Sequence, residues 1–207
     1  MQNTQTPTAA QALDILLTGN QRFVDGDPEH PNQDAAHRAT LVPGQHPFAV
    51  VLGCSDSRLA AEILFDRGLG DLFVVRTAGH VLGPEVLGSI EYGVAQLGCP
   101  LVVVLGHEAC GAVRAACATV AEGLTPAGYV RDVVERVAPS VLAARAVGLS
   151  EEADVVNEHI RHTVDLLLNR SPEVVGGRAA VVGLSYHLGS GQVRLVTSRG
   201  LDDVAAA

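Results

Sequence analysis

Four short segments of this chain are apolar at nearly every position, and this pattern constrains the fold more than any other feature of the sequence. The segments are rich in β-branched residues and cover 48–53, 72–75, 101–105 and 179–183. Strands that are apolar on both faces are typical of a parallel sheet that helices cover on both sides. A fifth segment, 193–197, alternates between polar and apolar residues, which is typical of an edge strand.

Helical patterns separate these segments. Apolar residues recur in them at helical spacing, and Gly or Pro marks several of their ends. The predicted helices cover 8–25, 59–65, 84–97, 110–122, 126–147 and 150–170, with a short additional helix at 33–41. We therefore predict an α/β fold over 1–207 as a single domain, with a mostly parallel central sheet flanked by helices and an edge strand near the C-terminus.

The first predicted helix belongs to an N-terminal arm, 1–46, that precedes the α/β core at 47–207. The helix carries an apolar stripe with no evident place on the chain's own sheet. We therefore expect the arm to pack on a partner subunit, which implies a homodimer.

Composition and charge exclude several classes of function. All 14 basic residues are arginines, so enzymes that need a lysine amine, such as Schiff-base enzymes and Walker-type phosphate binders, are excluded. A net charge of −9 provides no positive field for nucleic acid. No apolar run reaches the length of about 18 residues that a membrane span needs, and the N-terminus does not resemble a signal peptide. We expect a cytoplasmic protein with no nucleic-acid or membrane partner.

Two polar segments follow directly after apolar strands, where the functional groups of α/β proteins collect. Cys54, Asp56 and Arg58 follow the first strand, and His107 and Cys110 follow the third. If these strands are parallel neighbours, the two cysteines and the histidine meet at one edge of the sheet. Such a Cys₂His set leaves one position of a zinc ion open, which is typical of a catalytic rather than a structural site.

Distance excludes the other two cysteines from this site. Two sulfurs on one zinc ion lie at most about 4.6 Å apart, because each Zn–S bond is about 2.3 Å long. Cys117 is about 10 Å of helical rise from Cys110, and Cys99 precedes the third strand, about 20 Å from its far end. Both are predicted to be buried small residues.

Four other histidines carry less specific predictions. His159 and His162 share one face of the last long helix and lack a third ligand nearby, so we expect them to be solvated or at an interface. His80 and His187 lie near strand ends. There they could relay protons or form structural hydrogen bonds.

The motifs CSDSR at 54–58, RTAG at 76–79, EYGV at 91–94 and GHEACG at 106–111 closely resemble the signature segments of β-class carbonic anhydrases. The similarity extends over most of the chain. It implies the reversible hydration of carbon dioxide to bicarbonate and a proton, with one zinc ion per subunit supplying a hydroxide nucleophile. It also implies a homodimer or a homotetramer.

The resemblance implies roles for individual residues. Cys54, His107 and Cys110 match the zinc ligands. Asp56 and Arg58 match a catalytic dyad, in which Asp56 either ligates the metal in a closed, inactive state or pairs with Arg58 and accepts a hydrogen bond from the bound water. The positions that match the substrate pocket are Gln33, Phe73, Ala78, Tyr92 and Gly111, with Tyr92 expected to reach the pocket from a second subunit.

One departure from the family concerns regulation. Relatives with a bicarbonate inhibitory site use a Trp, an Arg and a Tyr at that site. Arg76 and Tyr186 match two of these residues, but Val51 stands where the Trp would be. The sequence therefore argues against an inhibitory site of this kind.

Three alternative functions are compatible with parts of the sequence. A zinc enzyme of the same fold could act on carbonyl sulfide or carbon disulfide, and the sequence does not separate it from a carbonic anhydrase. A thiol-dependent phosphatase or reductase fits poorly, because Asp56 would repel a bound phosphate. A zinc-stabilised scaffold also fits poorly, because a structural zinc site normally has four Cys or His ligands.

Overall fold

The chain forms one five-stranded sheet with helices on both faces. The computed structural model describes residues 6–201, the side chains at 175 and 176 excepted. The strands are β1 (Ala49–Cys54), β2 (Leu72–Thr77), β3 (Leu101–His107), β4 (Ala180–Tyr186) and β5 (Val193–Arg199). Their order is β2-β1-β3-β4-β5. The first four strands are parallel and β5 pairs antiparallel to β4 at one edge, which confirms the predicted α/β fold.

The helices lie where the sequence predicts them, with small differences in extent. They are α1 (Ala9–Asp25), α2 (Ala35–Thr40), α3 (Ala61–Leu64), α4 (Pro84–Ala95), α5 (Gly111–Glu122), α6 (Val130–Ala146) and α7 (Glu152–Arg170), together with single turns at Ala78–His80 and Val174–Arg178. The start of α6 is later than predicted because Gly128 adopts a left-handed φ of 63° just before it. Over residues 6–201, no helix has the length and apolarity needed to cross a membrane.

The two faces of the sheet bury separate apolar cores. Successive side chains of a strand point to opposite faces. Val50, Leu52 and Val102 face the layer formed by α4, α5, α6 and α7. Val51 and Val103 face the opposite layer, which α1 and α3 form. Because β1 and β3 are buried on both faces, apolar residues occur at consecutive positions in their sequences.

The N-terminal helix is present, but its apolar stripe packs on the chain's own sheet. Leu16 of α1 has no exposed surface and belongs to the same core as Val51 and Val103. Asn20 ties the helix to the core by donating a hydrogen bond from Nδ2 to the carbonyl of Leu64 at 3.1 Å. The expectation that this stripe has no place on its own sheet is therefore corrected. A parallel sheet needs cover on both faces, and the single turn of α3 is too short to cover this face alone.

The strand β2 is only half-buried, unlike β1 and β3. The sequence predicts cover on both of its faces, but β2 lies at the free edge of the sheet. Phe73, Val74 and Val75 consequently remain partly exposed. An apolar edge strand with unpaired backbone groups is a typical surface for binding another chain.

Candidate metal centre

Three side chains from neighbouring strands meet at the carboxyl edge of the sheet. The strand β1 ends at Cys54, the adjacent strand β3 ends at His107, and Cys110 is the residue just before α5. One ligand atom from each of the three lies within 4.8 Å of the other two, and all three residues are buried. The parallel pairing of β1 with β3 brings them together, because parallel strands end at the same edge.

The donor set and its surroundings fit a zinc ion. Two cysteine sulfurs and one imidazole nitrogen are ligands that zinc prefers. The Nδ1 atom of His107 lies 2.8 Å from the carbonyl of Glu108, which can only accept a hydrogen bond and so fixes the hydrogen on Nδ1. The Nε2 atom of the same ring is buried without a hydrogen-bond partner among residues 6–201. A metal ion would satisfy this lone pair, whose burial is otherwise costly.

The two thiols affect each other's protonation. A hydrogen bond with Cys110 is the largest cause that lowers the pKa of Cys54, to about 4, while burial acts in the opposite direction. The same hydrogen bond raises the pKa of Cys110 well above its ordinary value. Burial lowers the pKa of His107, but the adjacent Cys54 thiolate more than offsets this effect. One thiolate is thus stable at neutral pH, and a divalent cation would stabilise the second.

The loop after β1 carries an ion pair beside the cluster. Arg58 donates from Nε to Oδ1 of Asp56 at 2.8 Å and from Nη2 to Oδ2 at 2.6 Å, which is a bidentate arrangement. Arg58 also donates to the carbonyl of Ala109 at 3.2 Å and so links this loop to the loop after β3. The hydrogen bonds from Arg58 hold the pKa of Asp56 well below its ordinary value. Oδ2 of Asp56 lies 4.0 Å from Nε2 of His107, so the carboxylate is adjacent to the cluster.

Arg76 fixes the backbone of the same loop. Its Nε donates to the carbonyl of Cys54 at 2.9 Å, and its Nη2 donates to the carbonyl of Asp56 at 2.7 Å. Tyr186, the other residue that matches a bicarbonate inhibitory site, is buried at the end of β4. Val51 is a fully buried core residue of β1. The position that would hold the Trp of such a site is thus part of the sheet's core.

Two of the five predicted pocket residues lie beside the cluster. Gly111 begins α5 directly after Cys110. Ala78 directly precedes Gly79, whose N–H donates to Sγ of Cys54 at 3.3 Å. Gly111 and Ala78 are both exposed.

The other three predicted pocket residues lie elsewhere in the chain. In the register of β1 and β2, Phe73 is four residues from the level of Cys54, a separation of about 13 Å along the strand. Tyr92 of α4 packs on Phe73 with the ring centroids 6.0 Å apart, and it is 50% exposed. Gln33 donates from Nε2 to the carbonyl of Arg67 at 3.2 Å and lines a separate surface cavity. One chain does not assemble the whole predicted pocket within its described residues.

The environment of His159 differs from the one that the sequence predicts more than that of any other histidine discussed. A solvated or interface residue is predicted, but His159 is only 2% exposed. Its Nδ1 lies 2.9 Å from Oγ of Ser140, and its Nε2 lies 2.8 Å from the carbonyl of Gly79. The prediction for His159 is therefore wrong, because α6 packs on α7 and covers this face of the helix. His162, one turn later, is half-buried.

The remaining histidines and cysteines lie outside the cluster. His80 is buried and its ring contacts that of His159 in a tilted arrangement, with the centroids 4.5 Å apart. Its ring nitrogens find no hydrogen-bond partner in the described part of the chain. His187 is exposed and lies 3.0 Å from a carboxylate oxygen of Glu108. Burial raises the pKa of Cys99 to about 12, and Cys117 is half-buried on α5.

Sequence reasoning does not single out Gly79 as a site residue, although its N–H contacts a predicted ligand. The available signal is a glycine directly after the end of a strand, within the RTAG motif. A glycine at such a position often marks a left-handed turn, and Gly79 has a φ of 65°.

The fold and the donor set together define an α/β protein with a buried Cys-His-Cys cluster that could hold a metal ion, and three such ligands would leave one position of a zinc ion open. A family model described as carbonic anhydrase matches residues 49–193. Carbonic anhydrase 2 of Mycobacterium tuberculosis is 54% identical over 199 residues, which cover 94% of this chain and 95% of the relative. Carbonic anhydrase of Mycolicibacterium smegmatis is 53% identical over 193 residues, which cover 91% and 94%. The chain belongs to the carbonic anhydrase family, and within it to the β class that the motifs indicate.

Solved structures of β-carbonic anhydrases share this fold. CafA of Aspergillus fumigatus matches with a TM-score of 0.68 at 26% identity, covering 92% of this chain and 95% of that chain. A β-carbonic anhydrase of Sordaria macrospora, described as tetrameric, matches with a TM-score of 0.70 at 20% identity, covering 91% and 99%. The second match shows likeness of fold alone.

Proposed function

We propose that the protein catalyses the reversible hydration of carbon dioxide to bicarbonate and a proton, with one zinc ion per subunit. The buried cluster of Cys54, His107 and Cys110 carries this proposal, since it lies in a chain of the carbonic anhydrase family. The two Sγ atoms and Nε2 of the imidazole would hold the ion. When bound, zinc lowers the pKa of a coordinated water from 15.7 towards about 7 and so supplies a nucleophile at neutral pH.

Asp56 orients the attacking water. Its depressed pKa keeps the carboxylate ionised at neutral pH, and an ionised carboxylate can only accept hydrogen bonds. Because Oδ2 lies 4.0 Å from Nε2 of His107, a water held at the cluster is within reach of this oxygen. After the water gave up one proton to solvent, the carboxylate would accept a hydrogen bond from the single hydrogen of the remaining hydroxide, which would leave a lone pair facing the carbon of the substrate. The bidentate pairing with Arg58 supports the open state, in which Asp56 is not a metal ligand.

A second copy of the chain completes the substrate pocket. Phe73 and Tyr92 form a partly exposed apolar patch beside the free edge of β2, away from the cluster of their own chain. A homodimer, alone or within a homotetramer, that places this patch against the partner's cluster would add an apolar wall to the pocket, and Gln33 would add an amide donor. Carbon dioxide is small and uncharged, so such a pocket suits it. Ala78 and Gly111 would form the near side.

The site needs both of its cysteines as thiols or thiolates. A disulfide between Cys54 and Cys110 would remove two of the three ligands. Cytosolic conditions keep thiols reduced, whereas secreted proteins tend to form disulfides. A cytoplasmic location is therefore part of the proposal.

Zinc analysis combined with a stopped-flow assay of carbon dioxide hydration tests this function. We expect one zinc ion per chain, and we expect Cys110→Ser to lose both the metal and the activity. Cys117→Ser is the matched control, because Cys117 lies outside the cluster on α5, the helix that Cys110 directly precedes, and it should keep both. A zinc-free wild-type enzyme, or full hydration activity in Cys110→Ser, would contradict the proposal. The alternative function, hydrolysis of carbonyl sulfide or carbon disulfide, is not favoured, because the relatives reported above are named carbonic anhydrases.

A further inference from the structure

A chain of buried hydrogen bonds leads from α6 to the sulfur of Cys54. Oγ of Ser140 on α6 lies 2.9 Å from Nδ1 of His159 on α7. Nε2 of His159 lies 2.8 Å from the carbonyl of Gly79, and the N–H of Gly79 donates to Sγ of Cys54 at 3.3 Å. Ser140, His159 and Gly79 are all buried. These contacts connect two helices to one ligand of the proposed zinc site.

The donors and acceptors of this chain of contacts can be assigned. The carbonyl of Gly79 can only accept, so Nε2 of His159 carries the hydrogen and Nδ1 accepts from the hydroxyl of Ser140. Burial lowers the pKa of His159 to about 4, so the ring is neutral at neutral pH. A neutral imidazole has one donor and one acceptor, and here each of them has a buried partner.

The turn that His159 contacts has an unusual backbone. Gly79 and His80 both adopt a left-handed conformation, with φ of 65° and 43°. This region is unfavourable for a residue with a side chain, such as His80. A Cβ atom at residue 79 would lie 2.8 Å from Cβ of Ala112, so the turn also requires glycine. The hydrogen bond to the Gly79 carbonyl and the tilted ring contact between His80 and His159 hold the turn in this form.

We propose that His159 is a positioning residue of the metal site, which fixes Gly79 so that its N–H points at Sγ of Cys54. The inference rests on the proposed function, because it requires Cys54 to bind zinc. A hydrogen bond to a thiolate withdraws charge from the sulfur, so the sulfur becomes less basic and donates less charge to the metal. If His159 served only to join α6 to α7, its loss would lower stability and leave the sulfur unchanged.

The test compares variants of the zinc enzyme and of its cobalt(II)-substituted form. His159→Leu removes both ring nitrogens while it keeps an apolar side chain in the core. Without the N–H contact the sulfur is more basic, so the thiolate-to-cobalt charge-transfer band should move to longer wavelength. Zinc release to a chelator should become faster by about tenfold, because the loss of a residue that orients a metal ligand costs at least this much in metal affinity and outweighs the stronger donation from the more basic sulfur. His159→Gln keeps a donor close to the position of Nε2 and should restore most of the wild-type band and release rate.

Two more variants keep the test decisive. Ser140→Ala leaves the ring in place but removes the contact that orients it, so the band should move in the same direction by a smaller amount. His162→Leu is the matched control on the same helix and should leave the band and the release rate unchanged. If His159→Leu does not fold, Ser140→Ala decides the question: a shifted band supports the positioning role and a wild-type band overturns it.

The outcomes separate this inference from the proposed function. If folded His159→Leu keeps the wild-type band and release rate, the positioning role is overturned and the proposed function stands. If His159→Leu does not fold, the same result in Ser140→Ala overturns the positioning role. If the wild-type protein binds no zinc, the proposed function and this inference both fail. A shifted band in His159→Leu, with recovery in His159→Gln, supports the inference.

Discussion

Acid should destabilise this protein partly through His159, and the size of the effect follows from its burial. Burial, with the hydrogen bond to Gly79 acting against it, lowers the pKa of His159 from 6.5 to about 4 in the folded state. In the unfolded chain the ring binds a proton as the pH falls below 6.5, whereas in the folded protein it binds one only as the pH falls below about 4. The unfolded state therefore binds more protons between these two pH values.

The sign and magnitude of the effect can be worked out. This contribution to stability is fully present above the unfolded pKa of 6.5 and is lost as the pH falls towards about 4. One pKa unit corresponds to about 1.4 kcal/mol, so the complete loss is about 3 kcal/mol. Between about pH 7.5 and pH 5 the loss is about 2 kcal/mol, because the unfolded ring is almost fully protonated at the lower pH.

Urea unfolding followed by circular dichroism measures this contribution when His159→Gln is compared with the wild type at each pH. A chelator keeps both proteins metal-free, so the protonation of the metal ligands contributes equally to both. The wild type should be the more stable at about pH 7.5, and its advantage should shrink by about 2 kcal/mol by about pH 5. An advantage that stays constant or grows as the pH falls would refute the reasoning.

Three further predictions concern the dyad, the N-terminal helix and the edge strand. Arg58→Ala frees Asp56 from its bidentate contact and should lower kcat/KM by about 10- to 100-fold; near-native hydration in a stopped-flow assay would contradict this. Leu16→Ala should cost about 3 kcal/mol of unfolding free energy in urea, whereas Thr18→Ala on the exposed face should cost less than about 0.5 kcal/mol; equal costs would mean that α1 does not pack on the sheet. Phe73→Glu places a charge in the apolar patch and should dissociate the dimer in sedimentation velocity, with loss of activity; an active, unchanged oligomer would show that the patch is not the interface.

The strand pattern predicts both the sheet and the metal cluster for the same physical reason. Continuous apolarity identifies strands that are covered on both faces, and parallel strands end at one edge. Cys54 and His107 each end such a strand, so the sequence alone brings them together once β1 and β3 are taken as neighbours. The resemblance to β-class carbonic anhydrases then supplies the roles of Asp56 and Arg58, which spacing does not define.

The features that the sequence does not predict depend on contacts between helices and strands that are distant in sequence. The helical spacing of apolar residues in α1 shows that Leu16 lies on an apolar face. It does not show which surface of the protein that face covers. His159 lies among Val155, Val156 and Ile160 on the buried face of α7, and this spacing is a signal that would have favoured a buried histidine. Its partners on α6 and in the turn at Ala78–His80 are distant in sequence, and only the packing of the helices brings them together.

The central claim is that two sulfurs and one imidazole hold a zinc ion with an open position. X-ray absorption at the zinc edge of the purified enzyme measures this most directly. We predict two sulfur ligands at about 2.3 Å and two nitrogen or oxygen ligands at about 2.0 to 2.1 Å, one of them from His107. A zinc ion surrounded by four sulfurs, one without sulfur, or a protein that contains no zinc would contradict the account.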